Sequence, residues 1–487
     1  MINFENSFHE LQSEFYANVL PSIPPKPELL AYNKNLANKL GVSLSWLEGE
    51  EALECFSGSK IIKNSHPLAM VYAGHQFGNW VPRLGDGRAV LLGELIDKDN
   101  QRWDIQLKGS GKTPFSRSGD GKAVLGPILR EYLISEAMNA LRIPTTLALT
   151  VVKTGEKIQR EALFPGAILT RVAKSHIRVG TFQYFASRGE YDILKTLSDY
   201  VINRHFPAIN NKDNKYSEFL KLAIKAKANL ISKWMSVSFI HGVMNTDNCS
   251  IIGDTIDYGP CAFMDTFKPE TVFSSIDTFG RYSYKNQPKI GQWNLIQLAN
   301  CLLPLLSKNK EESINIAQKE IDRFPKLFES FWLQEMRKKL ALKSSKLNDT
   351  KLITELLDIM EHDKLDFTLT FSSLYHVFIN KNNAIFDYVN KSKKFKKWTL
   401  KWKSRLESEK SSKADIVKLL CNSNPSIIPR NHLVEEAIKL AVHDNNYSKF
   451  FKLMELVSKP FCLKEKNGHY LFPPKDSDKN FQTFCGT

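Results

Sequence analysis

The period of apolar and polar positions changes several times along the chain. Residues 89–95 (AVLLGEL) and 103–107 (WDIQL) are rich in β-formers and flank the polar segment DKDNQ, which predicts two strands joined by a turn. In residues 123–141 (AVLGPILREYLISEAMNAL) apolar side chains recur at 125, 128, 129, 132, 133 and 137, the spacing of a helix. Strand-like runs return in TTLALTVVK and GAILTRVAK. From about residue 190 helical spacing dominates, and residues 310–460 add helices with lysine-rich faces. The first 65 residues read as helices and loops. There, PPKPELLAYNKNLANKLGV has an entry proline, helical apolar spacing and a glycine stop. No internal repeat or low-complexity linker interrupts the pattern.

Composition narrows the class. The chain has 487 residues, 42% hydrophobic and 24% charged, which suits a soluble globular protein larger than one small core. No apolar run is long enough to span a bilayer. The N-terminal MINFENSFHELQSEF carries early acids and no basic leader, so a cytoplasmic location is expected. Sixty-seven basic residues against 52 acidic ones give a net charge of +15, which attracts phosphate-bearing ligands or acidic proteins. The lysines are spread over the whole chain rather than gathered in one arm. The most basic stretch, residues 391–405 (KSKKFKKWTLKWKSR), spaces Phe395, Trp398 and Trp402 as on one helix face. This predicts an amphipathic helix with its aromatics in the core, and no nucleic-acid partner is expected. Seven cysteines form no C-x-x-C pair and no zinc pattern, as for reduced structural thiols. Nothing points to an obligate assembly, so a monomer is expected.

The candidate chemistry begins in residues 72–114. A glycine-rich turn (Gly85, Gly87) with Arg88 beside it precedes the first strand, and the second strand ends in Lys108. Glycines let backbone N–H groups approach phosphate oxygens, and a strand-borne lysine meets their charge. Asp120 and Gly121 make a second Gly-Asp-Gly turn just before the helix, either a helix cap or a loop lying on a nucleotide. Two helix glutamates, Glu131 and Glu136, are candidate partners for Lys108. The helical period puts Glu136 within the apolar stripe and Glu131 off it, without choosing between them. Arg171 and Arg178 follow, seven residues apart, with the fork geometry suited to phosphates.

The second decisive segment is HGVMNTDNCSIIGDTIDYGP, residues 241–260. Kinase catalytic loops place a base two residues after the histidine and a metal-binding asparagine further on, and then a strand delivers a metal aspartate. Here Asn248 has the asparagine's offset. Asp257 follows the short apolar run CSII, read as a strand, and a turn. The base position is Val243, which accepts no proton, while Asp247 lies one residue before Asn248. The order of Gly turn, Lys strand, helix with glutamate, HG-x5-N and ID predicts an α+β, protein-kinase-like two-lobed fold. In it a small β-rich lobe joins a large helical lobe, with extra N- and C-terminal helices. The expected divisions are an N-terminal helical extension (1–65), a small lobe with the nucleotide loops (66–185), a large lobe with the catalytic and metal loop (186–310), and a C-terminal helical extension with a cysteine-bearing tail (311–487).

On YAGHQFG, PRLGDGRA, QLKGSGKTPFSRSGDGKAVL, REYLISEAM, SHIRVGTF, HGVMNTDN, IDYGP and GRYSYKNQP, the chain is identified as a member of the selenoprotein O family. The resemblance runs through most of residues 20–300 and returns at the terminal FCGT. It implies a pseudokinase fold that binds ATP back to front and transfers AMP, with release of pyrophosphate, to Ser, Thr or Tyr hydroxyls of target proteins. It implies nucleotide contacts at Gly85, Gly87, Arg88, Lys108, Asp120, Gly121, Arg171, Arg178 and Asp257. Glu131 becomes the ion-pair partner of Lys108, Asp247 the general base, and Asn248 and Asp257 the ligands of Mg²⁺ or Mn²⁺. UMP transfer by the same site and a non-catalytic ATP-binding scaffold are the alternatives. The family also pairs a cysteine after the metal aspartate with one near the C-terminus. Here the loop FKPETVFSSIDTFGRYS holds no cysteine, so Cys485 lacks that partner and Cys261 is the nearest substitute.

Overall fold

The computed structural model describes residues 2–461, 468–474 and 481–483. A seven-stranded antiparallel sheet forms the β lobe. Its strands are β1 (Tyr16–Asn18), β2 (Glu28–Tyr32), β3 (Leu68–Met70), β6 (Ala89–Ile96), β7 (Arg102–Lys108), β8 (Leu147–Gln159) and β9 (Leu163–Ala173), in the order β1-β3-β6-β7-β9-β8-β2. A separate hairpin, β4 (Gly74–Gln76) with β5 (Asn79–Val81), projects from it.

The predicted pair 89–95 and 103–107 is β6 and β7, with Ala89 opposite Lys108. Strand alternation then sorts β7 into two faces. Trp103, Ile105 and Leu107 pack with Leu36, Leu40, Leu47 and Phe56 from helices α1 (Lys34–Leu40), α2 (Leu44–Leu47) and α3 (Glu50–Ser57). Asp104, Gln106 and Lys108 face the other way. On β9, whose Arg171 lies opposite Gln106, Ile168 and Val172 join the first cluster and Arg171 falls on the polar face. Two neighbouring strands thus present Lys108, Gln106 and Arg171 on one side of the sheet.

The first 65 residues correct the sequence expectation. The ELLAY segment, read as part of a helix, is β2 and pairs with β8. The helix starts only at Lys34, where the Asn33 side chain caps it, and ends at Gly41 in the left-handed conformation. Apolar spacing over so short a run does not distinguish a helix from an edge strand that finds a distant partner. CSII, read as a strand before Asp257, is instead a turn whose Ser250 bridges Arg178.

The predicted helix is α4 (Leu125–Ala140). It is buried on nearly every side, between the sheet and two C-terminal helices, Asn431–His443 and Ser448–Val457. Arg130 pairs with Glu435, and Tyr132 meets Phe450 at 6.4 Å. The C-terminal region therefore braces the β lobe from behind. The helical region begins with α5 (Val179–Ala186), α6 (Tyr191–His205), α7 (Lys215–Ser236) and α8 (Gln287–Leu306) and continues to Val457. Helix Lys393–Glu407 buries Phe395, Trp398 and Trp402 as its spacing predicts. No helix among the described residues is long and apolar enough to cross a membrane. Tail residue Thr483 donates its hydroxyl to the Pro260 carbonyl and its N–H to Phe273 O. Cys485 lies outside the described residues.

Candidate active site

A cleft of about 850 Å³ opens between the polar face of the sheet and the loop 241–260. It is lined by Gly85, Gly87, Arg88, Lys108, Asp120, Gly121, Arg171, Arg178, Asp247, Asn248 and Asp257, which brings together every nucleotide, base and metal residue proposed from the sequence.

At its base is an ion-pair network. Lys108 Nζ lies 2.5 Å from Glu131 Oε2, and Arg171 Nε donates to Glu131 Oε1 at 2.8 Å. Burial raises the cost of ionising Glu131, but Arg171 and Lys108 outweigh it and hold its carboxyl below the usual range. Glu136 instead accepts from the Asn33 side chain at 2.8 Å. The helical period could not choose Glu131 because α4 has no single apolar face; a helix buried all round has no outward stripe.

Asp257 bridges this cluster to the loop. Its Oδ1 accepts from Arg171 Nη2 at 2.7 Å and its Oδ2 from Arg178 Nη1 at 3.0 Å, with Lys108 Nζ at 3.9 Å. Burial opposes its ionisation, yet Arg171, Arg178 and Lys108 hold it well below the ordinary carboxylate range. Asp257 also has φ +65°, a left-handed conformation uncommon for a non-glycine residue. His241 orders the loop's other end. Its Nε2 lies 2.9 Å from Ile256 O, the Val243 N–H points to its Nδ1, and burial pushes it down to about 4, so it is a neutral brace.

Asp247 sits 6% exposed at the cleft wall. Burial pushes its pKa up to about 6, eased by the Gln76 hydrogen bond and by Arg178. Gln76 Nε2 reaches Oδ2 at 3.2 Å, while Oδ1 is buried without a hydrogen-bond partner. A buried acceptor lacking a donor is costly, and such exceptions cluster where a proton or ligand is to be taken up.

The β4–β5 hairpin holds this loop from above. Thr246 Oγ1 accepts from His75 N, and Asn245 Oδ1 accepts from Phe77 N at 2.9 Å. Gly74 comes so close that a Cβ there would lie 2.7 Å from Asp247 Oδ1. We expect Gly74→Ala to displace that carboxylate and lower turnover by about 10²-fold, with ATP affinity retained. Steady-state kinetics beside a nucleotide titration checks this.

Sequence reasoning missed several residues that shape the cleft. Gln76 has no spacing signal, since it works through a contact 171 residues away in sequence. Tyr72 lies under the Arg178 guanidinium at 4.5 Å. Buried Asp86 accepts from Met70 N and Gln106 Nε2, and Arg178 Nη2 is 3.5 Å away. Asp120 lines the rim but is held bidentate by Arg160, at 2.9 Å for both contacts. The glycines Gly85 and Gly87 also have a second reason to be glycine. A Cβ would fall 2.3 Å from the Phe115 ring and 2.8 Å from Phe115 O respectively, so they let the 113–121 loop lie on the turn.

Among the described residues no group of three or more His, Cys, Asp or Glu side chains is arranged to hold a metal ion. The residues present still fit a divalent cation shared with phosphate oxygens. Asn248 Nδ2 donates to Val243 O, which leaves its carbonyl oxygen as a donor atom beside the carboxylates of Asp247 and Asp257. All are hard oxygen ligands suited to Mg²⁺ or Mn²⁺.

Residues 1–458 match the family model described as protein adenylyltransferase SelO. The chain is 50% identical over 485 residues to "Protein nucleotidyltransferase YdiU" of Bacillus cereus strain G9842, covering 100% of this chain and 98% of that protein. It matches the proteins of the same description from Bacillus mycoides strain KBAB4 and Bacillus anthracis strain CDC 684 / NRRL 3495 with the same identity and coverage. The chain therefore belongs to the SelO family of protein adenylyltransferases and is a nucleotidyltransferase of that family.

Proposed function

We propose that this chain transfers AMP from ATP to Ser, Thr or Tyr hydroxyls of other proteins, in a kinase-like cleft with the triphosphate bound back to front. The observation that carries this reading is the pairing of Val243 at the usual base position with Asp247, whose buried Oδ1 has no partner. A carboxylate there can take the proton of an acceptor hydroxyl. The hydroxyl oxygen then attacks the α-phosphorus, the bond from that phosphorus to the bridging oxygen breaks, and pyrophosphate leaves. In-line attack at the innermost phosphate requires the outer phosphates to point away from Asp247, toward the cationic side of the cleft. Arg88, Lys108 and Arg178 are the cations available to the charge that builds on the leaving group. A Mg²⁺ or Mn²⁺ ion held by Asn248 and Asp257 would neutralise phosphate charge when bound.

Several features support the kinase-like architecture. They are a Gly turn, a lysine strand, a Lys–Glu ion pair to the following helix, and an aspartate reached from a loop beginning at His241. Incubation with ATP and a divalent metal, followed by intact mass measurement, tests the reaction. An added AMP mass on the protein or on a bystander supports it, and an added phosphate mass opposes it.

The pH dependence follows from Asp247. Because its pKa is raised to about 6, the proton-accepting form is lost as pH falls through that value. We expect kcat/KM to drop about tenfold per pH unit below about pH 6 and to level off above it. Asp257, held well below the ordinary range, stays ionised throughout and contributes no limb.

A further inference from the structure

A second cavity of about 490 Å³ lies beside the nucleotide cleft and shares Phe77 and Ile276 with it. The shared Phe77 is tied to the catalytic loop: Asn245 Oδ1 accepts from Phe77 N and also from Tyr282 OH at 2.7 Å, and Asn245 lies two residues before Asp247. The groove therefore adjoins the side of the cleft where Asp247 stands.

Its lining has a definite chemistry. Phe279 is 97% exposed and Ile276 62% exposed, on one short loop next to Ile290. Together they form an exposed apolar patch on the groove wall, the kind of surface that marks interaction sites. Arg281 lines the groove and packs against Trp293, 4.8 Å from the ring centroid. Lys289 stands exposed on the same wall. Among the described residues neither cation has an ion-pair partner. The groove's own carboxylate, Asp277, is occupied by the backbone N–H groups of Arg281 and Tyr282 at 2.9 and 2.8 Å. Two cations without ion-pair partners beside an apolar wall are complementary to a carboxylate next to a large apolar side chain.

We propose that this groove receives the acceptor segment of the protein substrate, and that the segment carries an acidic residue and a large apolar residue close to the modified hydroxyl. This rests on the adenylyltransferase reading above and names its substrate class. The net charge of +15 favours the same partner at longer range.

Fluorescein-labelled peptides test it. One has a single Thr flanked by Asp and Phe, and a second has Lys in place of that Asp. Anisotropy reads binding, and α-labelled ATP reads transfer. We expect the acidic peptide to bind at least tenfold tighter than the lysine peptide. Lys289→Glu, Phe279→Ser and Arg281→Gln should each weaken it about fivefold or more, mainly in KM, with ATP affinity unchanged. Lys289 and Phe279 are exposed, so their variants fold even if Arg281→Gln does not. Equal binding of the two peptides, or binding indifferent to the exposed-site variants, overturns the proposal. So does a dimer in light scattering that Phe279→Ser dissolves, because the occupant would then be a second copy of this chain. Charge-selective binding without label transfer upholds the groove and removes the reading of AMP transfer to protein hydroxyls. Label transfer without charge preference does the reverse.

Discussion

Asp247→Asn should bind ATP within a few-fold of the parent chain and lose about 10²–10⁴-fold in turnover, the range for removing a positioned general base. The substitution keeps the shape of the side chain and an oxygen for the Gln76 contact, and removes the carboxylate's charge and proton affinity. The orphaned Oδ1 is the atom at stake. A nucleotide titration beside steady-state transfer separates the two effects. A scaffold that merely holds ATP predicts no product from either protein, whereas a kinase with a displaced base predicts loss of γ-phosphate transfer. The acidic limb near pH 6 should vanish from the residual activity of Asp247→Asn, because the group that titrates there is gone.

The largest structural effect is expected at Asp257. Its carboxylate answers Arg171 and Arg178 directly and Lys108 at 3.9 Å. Asp257→Ala leaves buried guanidinium groups facing one another without their shared anion. Breaking a buried pair by removing one partner costs about 3–5 kcal/mol. Guanidinium unfolding should report a loss of that order, and transfer should fall to background. Asp257→Asn is the control. It retains the shape and some hydrogen bonds, so it should recover part of the stability without recovering transfer. If Asp257→Ala unfolds at the parent's denaturant concentration, the three cations are not held by this anion and the described network is wrong.

Most of the cleft was legible because its residues sit at positions that local rules determine. Alternation along 103–107 fixes which side of the sheet Lys108 faces once Trp103, Ile105 and Leu107 are buried. The helical period at 123–141 likewise located α4 to within two residues. The failures share a cause, which is dependence on partners far away in sequence. ELLAY becomes a strand because β8 is there to pair with it, and nothing in its own five residues says so. Glu131 is buried because Lys108 and Arg171 meet it from the sheet, while C-terminal helices cover other sides of α4, and a helical wheel drawn on α4 alone can know neither. The hairpin carrying Gln76 was visible only as a family segment, and its grip on Asp247 is a tertiary contact. Asp120 lines the cleft, and its bidentate partner Arg160, 40 residues on, is a tertiary contact that no local spacing shows.

What decides the chemistry is which phosphorus of ATP receives the acceptor oxygen. The most direct measurement is parallel incubation of the intact chain and a protein acceptor with ATP labelled at the α- or at the γ-phosphate, in the presence of Mg²⁺ or Mn²⁺. Acid-stable label is expected on protein from the α-labelled nucleotide only, with labelled pyrophosphate released from the γ-labelled one. Protein labelled from the γ position, and not from the α position, would contradict it.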